Sequence, residues 1–373
     1  MMNIKVEKKE LEIGVNKVAR AIDQRTVVPI LTGIKLEATD EKLELIGSDS
    51  TISIQTSVIE GLKVIEEGGI VLPAKEFQQI VKALPNDEVN IKVDENFKAI
   101  ITVGKSKFNL NGTDANQYPK IKNKKAETIF VSEANQIANA IDKTVFAVSK
   151  MESRPILTGV NFHDKNGSLV MVATDSHRLS RVETEIETLF EGEFTLPSKA
   201  LKELSSLLRG DGEIKVLKSE NNVLFEDETT TIVTRLMSGN FPETDRLIPN
   251  EGTTTMKVNR RAFLESLERS RILAKDDKTV IFEISDENSG IFDTVKLQQQ
   301  SQELGVSEED IVVNEIEGEE LSIGFNADYV IESLKALDDD EVVFSFTGAM
   351  RPFTIVDSND SGTLQLVLPV RRY

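Results

Sequence analysis

The sequence predicts an α+β protein made of three repeats, each with two helices on antiparallel sheet. Three observations carry this. The string Val28-Pro29-Ile30-Leu31-Thr32-Gly33-Ile34 returns 126 residues later as Arg154-Pro155-Ile156-Leu157-Thr158-Gly159-Val160. Around each string the hydrophobic period alternates between that of a helix and that of a strand. A length of 373 residues also exceeds what a single core usually organises.

In chain order, Leu11, Val15, Val18 and Ile22 form one helical face, and a helix is expected over 10–25. Leu36–Thr39 and Lys42–Ile46 alternate about Asp40-Glu41, a hairpin signal. Phe77, Ile80, Val81 and Leu84 mark a second helix ended by Pro85. The second repeat follows the same order. Ile46–Ser50 matches Val172–Ser176 at offset 126, and Leu72–Phe77 matches Leu196–Leu201 at offset 124. Asn116-Gln117-Tyr118-Pro119 matches Gly239-Asn240-Phe241-Pro242 at offset 123. The third copy is fainter. Tyr329–Leu337 parallels Phe77–Leu84 at offset 253, but the Pro-Ile-Leu-Thr-Gly string is missing and Gln298–Asp310 adds polar sequence. Polar stretches after a proline, at 122–125 and 249–252, suggest domains at 1–122, 123–250 and 251–373.

Composition removes several function classes. With no Cys, disulfides, thiolate metal sites and Cys nucleophiles are excluded. His163 and His177 are the only histidines, which leaves little for metal or proton chemistry, and no cofactor is expected. The start, MMNIKVEKKE, has no apolar h-region, and no apolar run reaches membrane-spanning length. A soluble, cytoplasmic protein with no membrane partner is expected. The net charge of −19 argues on its face against nucleic acid. Its distribution argues otherwise. The six expected helices (10–25, 75–84, 133–154, 198–209, 260–278 and 327–337) sum to +4, leaving −23 elsewhere.

Three motifs now carry a family resemblance: Ala173-Thr174-Asp175-Ser176-His177-Arg178-Leu179; Asn240-Phe241-Pro242 with Arg246-Leu247-Ile248-Pro249; and Val367-Leu368-Pro369-Val370-Arg371. Together with the threefold repeat they resemble the bacterial DNA polymerase III beta subunit family, the sliding clamps, over the whole chain. The resemblance implies three clamp domains per subunit and a closed ring formed by a head-to-tail homodimer. It implies a non-catalytic processivity factor around double-stranded DNA, held topologically and without sequence preference. Its partners would be the polymerase III catalytic subunit, the clamp loader complex and other proteins with a clamp-binding motif. Twelve helices spaced about 9–10 Å apart enclose a hole roughly 25 Å wide, enough for a duplex. A mildly positive lining would tolerate phosphates without gripping them, and an acidic exterior would repel stray nucleic acid.

Arg25, Lys75 and Lys199 match basic positions that the family points at the duplex. Lys150, Arg154 and Lys202 join them from helix charge alone; a single helical Lys is more often just solvated. The resemblance also implies a partner-peptide pocket between the second and third repeats. Its matching positions are Leu157, Thr174, His177, Arg178, Leu179, Pro242, Arg246, Leu247, Asn326, Tyr329 and Met350, then Leu366, Val367, Leu368, Pro369, Val370 and Arg371. Such a pocket suits a peptide with Gln and paired hydrophobics. Without the family, most of these Leu and Val would read as core. Some branches of the family carry Gly where Ser176 stands here, and the tail ends Arg371-Arg372-Tyr373. For the dimer seam, Phe108 and Leu110 match positions that pack against the partner's copies of Ile272 and Leu273.

Enzymatic readings are weaker. Asp175, Ser176 and His177 have triad chemistry but are adjacent in sequence, whereas a triad converges from distant segments, and no Gly-x-Ser-x-Gly elbow is present. Gly104-Lys105-Ser106 imitates the end of a phosphate loop, but position 99 is Ala where Gly is needed. Asp338–Asp340 and Glu308–Asp310 read as solvated turns before weak cation sites. The sequon at Asn111 has no meaning in a cytoplasmic protein. A peptide-binding scaffold that never meets DNA is the remaining alternative; salt-dependent DNA loading separates it from a clamp.

Overall fold

The structure is a computed structural model that describes residues 1–120, 125–249, 251–273, 278–284, 294–301, 305–360 and 362–370. The α+β expectation holds. Among the described residues six α-helices are formed: α1 Lys8–Ala19, α2 Ala74–Ala83, α3 Ala134–Thr144, α4 Ser198–Leu207, α5 Arg260–Ser270 and α6 Ala327–Lys335. They occur two per repeat, among antiparallel strands.

The chain condenses into two compact units, Met1–Ala138 with Lys199–Leu236, and Asn139–Ser198 with Met237–Tyr373. The middle repeat is therefore shared between them. Among the described residues each unit holds two sheets. In the first, Leu62–Glu66, Met2–Glu7, Glu88–Val93, Lys98–Val103 and Ser106–Asn111 make a five-stranded sheet. Its eight-stranded sheet joins two repeats through Thr230–Arg235 and Ile52–Val58, with Thr234 opposite Ile52. In the second unit, a nine-stranded sheet joins repeats through Arg178–Glu187 and Thr363–Val367, with Arg178 opposite Val367. A four-stranded sheet runs from Gly305–Val312 to Leu321–Asn326.

The repeated string has one shape in both copies. Pro29–Thr32 and Pro155–Thr158 are 3-10 turns with Pro at the start, where the missing N–H costs nothing. Gly33 and Gly159 then enter their strands so close to a neighbour that a Cβ would lie 2.9 Å and 2.5 Å from the carbonyls of Leu72 and Leu196. Only glycine fits there. Under each turn lies a small apolar cluster: Leu31, Ile46, Val71 and Tyr118 in the first, and Leu157, Val170, Val172, Leu179, Phe241 and Leu366 in the second. Tyr118 and Phe241 come from the matched closing segments.

The third repeat has a larger core. Phe263, Phe282, Phe325, Phe344, Phe346 and Phe353 meet with ring centroids 5.1–6.4 Å apart, most of them tilted or edge-on. These geometries favour the aromatic quadrupole and fix the frame from which α6 projects.

Each helix stops short of its expected C-terminal end, whereas the starts fall within two residues of expectation. α1 stops at Ala19, α3 at Thr144 before a 3-10 turn Val145–Ala147, and α5 at Ser270. Arg25, Lys150 and Arg154 are therefore not helical. The charge asymmetry is slightly smaller than expected, since the six helices as folded sum to +3 and the remainder to −22. The proposed linkers at 122–125 and 249–252 fall largely on, or beside, residues 121–124 and 250, which lie outside the described residues.

Candidate functional site

One strand pairing assembles the candidate pocket. Leu179 lies opposite Leu366, and beyond the strand the Leu368 N–H donates to the His177 carbonyl at 2.9 Å. The Val370 N–H donates to the Gly324 carbonyl at 2.8 Å, which ties the tail to the strand before α6. Strand alternation puts Leu366 and Leu368 on one face, with Leu157, Leu179 and Phe241.

Val367 must be corrected. The same alternation turns it to the opposite face, fully buried in the aromatic core of the third repeat. It is no pocket wall. Leu157, Leu179 and Leu366 are also buried, so they floor the site instead of opening onto it. The open candidates are His177, Pro242, Arg246, Leu247, Met350 and Val370. Leu247 is 53% and Met350 57% exposed. Pro369 and Leu368 are half-buried between these sets, and Arg371 lies outside the described residues. Sequence reasoning missed Phe241 and Ile248, which pack in the floor.

The turn that presents His177 is held by its own side chains. Asp175 Oδ1 accepts the N–H groups of His177 and Arg178 at 2.9 and 3.0 Å. Thr174 Oγ1 donates to the Arg178 carbonyl at 2.6 Å and accepts the Ser176 N–H at 3.1 Å. Ser176 is left-handed, with φ 78. His177 is thereby pushed into solvent, stacked with Tyr329 at 6.4 Å between centroids. The Asp175 carboxylate holds backbone and Arg178, not the imidazole, so no hydrolytic triad is formed here.

Arg178 needs a second correction of role. Its side chain is only 5% exposed. It pairs with Asp175 at 3.1 Å and with Glu332 on α6, and Nη2 donates to the Phe146 carbonyl at 2.8 Å. The guanidinium carbon sits 4.7 Å from the Tyr329 ring centroid and 5.2 Å from that of Phe146. A buried, fully paired Arg stacked on aromatics is a post, which fixes Tyr329 from behind. Phe146 and Glu332 carried no sequence signal for this, being spaced 32 and 154 residues from Arg178. Asn326 caps α6, its Oδ1 accepting the Asp328 N–H at 2.9 Å. Burial, and then the Asp175 charge, raises the Tyr329 phenol above its ordinary value.

The 3-10 turn Asp245–Leu247 is flanked by two cavities. One, of about 550 Å³, is lined by His163, Phe241, Pro242 and Arg246 among others. The other, of about 350 Å³, lies against Leu247, Pro249, Arg351 and Pro352. Arg246 itself pairs with Glu243 at 3.1 Å, both largely exposed.

All six candidate DNA residues are exposed. Lys75 and Lys199 occupy the same place in the first turns of α2 and α4. A cation there opposes the helix dipole by about 0.3–1 kcal/mol, a cost that an incoming phosphate would offset. The third repeat has Asp328 at that position, paired with Arg271 and Lys278. Lys75, Lys150, Arg154 and Lys202 have no ion-pair partner among the described residues, whereas Lys199 reaches Asp49 at 2.8 Å and Asp23 at 3.5 Å. That hydrogen bond to Asp49 raises the Lys199 pKa and anchors its side chain. Arg25 projects from a turn, 3.9 Å from Asp23.

At the candidate seam, Ser106–Asn111 is an edge strand exposed along nearly its whole length, with Phe108 outward and Leu110 half-buried. Ile272, in the turn after α5, is 67% exposed and Leu273 half-buried. Gly104 and Lys105 form the tight turn into that edge strand, with Gly104 at φ 54. The acid runs are ion-paired: Asp338 to Lys143, Glu308 to Lys296 and Glu309 to Arg269. No cluster of three His, Asp or Glu among the described residues is placed to hold a metal.

Comparison with known proteins follows the same threefold division. Residues 2–122, 132–243 and 245–371 match the N-terminal, central and C-terminal domains of the DNA polymerase III beta subunit. The chain belongs to the DNA polymerase III beta subunit family. Its relatives include the beta sliding clamps of Bacillus subtilis, 39% identical over all of both chains, and Staphylococcus epidermidis, 35% identical over all of both. Among solved structures, the Bacillus subtilis sliding clamp aligns over all of both chains at TM-score 0.93 and 38% identity. The Streptococcus pneumoniae beta chain aligns equally fully at 0.94 and 36%. The family's three clamp domains, helices on antiparallel sheets, are those described above.

Proposed function

We propose that the chain is a DNA sliding clamp, a non-catalytic subunit that encircles double-stranded DNA and tethers the replicative polymerase. The full-length match to three consecutive clamp domains carries this reading. Clamp domains at 1–122, 123–250 and 251–373 are proposed with it, as are polymerase III, a clamp loader and other motif-bearing proteins as partners. No described helix is long and apolar enough to cross a membrane; work on chromosomal DNA in the cytoplasm fits that.

Two copies would close head to tail. Support comes from the bare edge strand with Phe108 and Leu110, which leaves backbone donors unpaired, and from the exposed Ile272. Partner peptides would lie over the buried floor of Leu157, Leu179 and Leu366, against His177, Tyr329, Leu247, Met350 and Pro242. DNA would pass Lys75, Lys199, Lys202, Arg25, Lys150 and Arg154 without base readout.

Retention on circular DNA tests the function. After loading onto nicked plasmid, the protein is expected to stay on the circle and to run off once the plasmid is cut. Equal loss from both forms would refute encirclement.

A further inference from the structure

The turn that carries His177 has a twin in the first unit. Asp49 Oδ1 accepts the N–H groups of Thr51 and Ile52, both at 2.9 Å, as Asp175 does from His177 and Arg178. Ser50 has φ 77 where Ser176 has 78. The Arg235 N–H donates to the Thr51 carbonyl as the Leu368 N–H donates to His177. The backbone frame of the candidate peptide pocket therefore occurs twice in this chain.

Its side chains differ. Ser53 stands where the second frame has Leu179, Thr51 where it has His177, and Arg235 where it has Leu368. Beside the first turn opens a cleft of about 650 Å³, within the usual range for ligand sites. Leu31, Val233 and Leu236 give it an apolar side, and Ser53, Asn221 and Asn222 give it hydrogen-bonding groups. Lys120 and Arg235 also line it, and no lining residue is Asp or Glu. Neither cation has an ion-pair partner among the described residues. In a chain of net charge −19, an acid-free cleft with two uncommitted cations is a local inversion of sign. The turn's own acid, Asp49, is nearly buried and engaged with backbone N–H groups and Lys199.

We propose that this cleft binds an acidic peptide segment. Carboxylates pair with Lys120 and Arg235, an apolar side chain lies on Leu31 and Leu236, and the peptide backbone bonds to Asn221 and Asn222. Charge selects the ligand, because both cations are rim-exposed and an acidic segment is the complement they lack. Affinity is salt-sensitive for the same reason. That the ligand is a peptide rests on the reading of the second frame as a partner-peptide pocket.

The test uses the full chain and two labelled probes, a hexapeptide alternating Asp and Leu, and a peptide with Gln and paired Leu and Phe. Lys120→Glu with Arg235→Glu, both exposed, is expected to weaken the Asp-Leu peptide at least tenfold while melting as the unaltered protein does. His177→Ala with Leu247→Ala is expected to leave that peptide unchanged. Sensitivity to the His177 and Leu247 pair but not to the charge reversal would overturn the proposal, as would no saturable binding at millimolar peptide. The Gln-containing peptide, titrated in parallel, reports on the other pocket alone, so failure of that reading is seen separately.

Discussion

Ile52 and Arg178 stand at the same place on two copies of one turn. Both are buried, both follow an Asp that caps the turn, and both lie on strands that join one repeat to the next. One is hydrocarbon in a sheet; the other is an ion held by Asp175, Glu332 and two aromatic rings. The frame is set by backbone hydrogen bonds and tolerates either residue. What the second copy gains from Arg is a fixed Tyr329, and so a defined wall for the proposed peptide pocket.

The largest test of that difference removes the ion. Arg178→Ala should cost about 3–5 kcal/mol in denaturant unfolding, because Asp175 loses its charge partner in a half-closed site. Partner-peptide binding should fall with it. Arg178→Met, which imitates the apolar solution of the first copy, should recover most of the stability but not the binding. If Met restores binding too, Arg178 does not position Tyr329, and the two copies differ only in packing.

A smaller test asks whether the frames are equivalent. Ser50 and Ser176 both adopt a left-handed conformation that costs an ordinary residue energy. Ser50→Gly and Ser176→Gly should each relieve that cost, changing stability by about 0.5–1 kcal/mol or less after the entropy of glycine is counted. Thermal melts of the two variants should agree; opposite signs would show that the turns are under different strain.

The smallest effect concerns His163, whose counterpart in the first copy is Glu37. Burial, outweighing the pull of Asp245, lowers the His163 pKa below its ordinary value. The unfolded chain then binds a proton more readily than the folded one. Stability from this group is present above pH 6.5 and falls as pH drops through the folded value. His163→Asn should flatten that acid limb slightly. An unchanged profile would mean that the facing groups, Asp245, Glu193, Arg181 and Lys165, cancel the burial.

Legibility followed the range of the interactions. The repeated Pro-Ile-Leu-Thr-Gly string was visible because its parts act locally: a proline start, a 3-10 turn and a glycine against a neighbouring strand. Helix faces and starts were visible for the same reason, although the C-terminal ends were not, since apolar periodicity runs on through Ile22 after the helix has stopped. Val367 and Arg178 support the site from within instead of lining it, because a contiguous motif hides strand alternation and burial. Leu366 and Val367 are adjacent in sequence yet serve different cores.

The sequence by itself determined the threefold repeat, the helix count, the charge asymmetry and the family, all properties of short strings and their spacing. The tertiary structure alone decided which residues face a pocket and which support it. Arg178 meets Glu332 across 154 positions. Lys199 is anchored by Asp49 across 150. The cleft at Lys120 and Arg235 joins segments more than a hundred residues apart. Burial and ion pairing depend on what the rest of the chain brings to a side chain, and no local pattern records that.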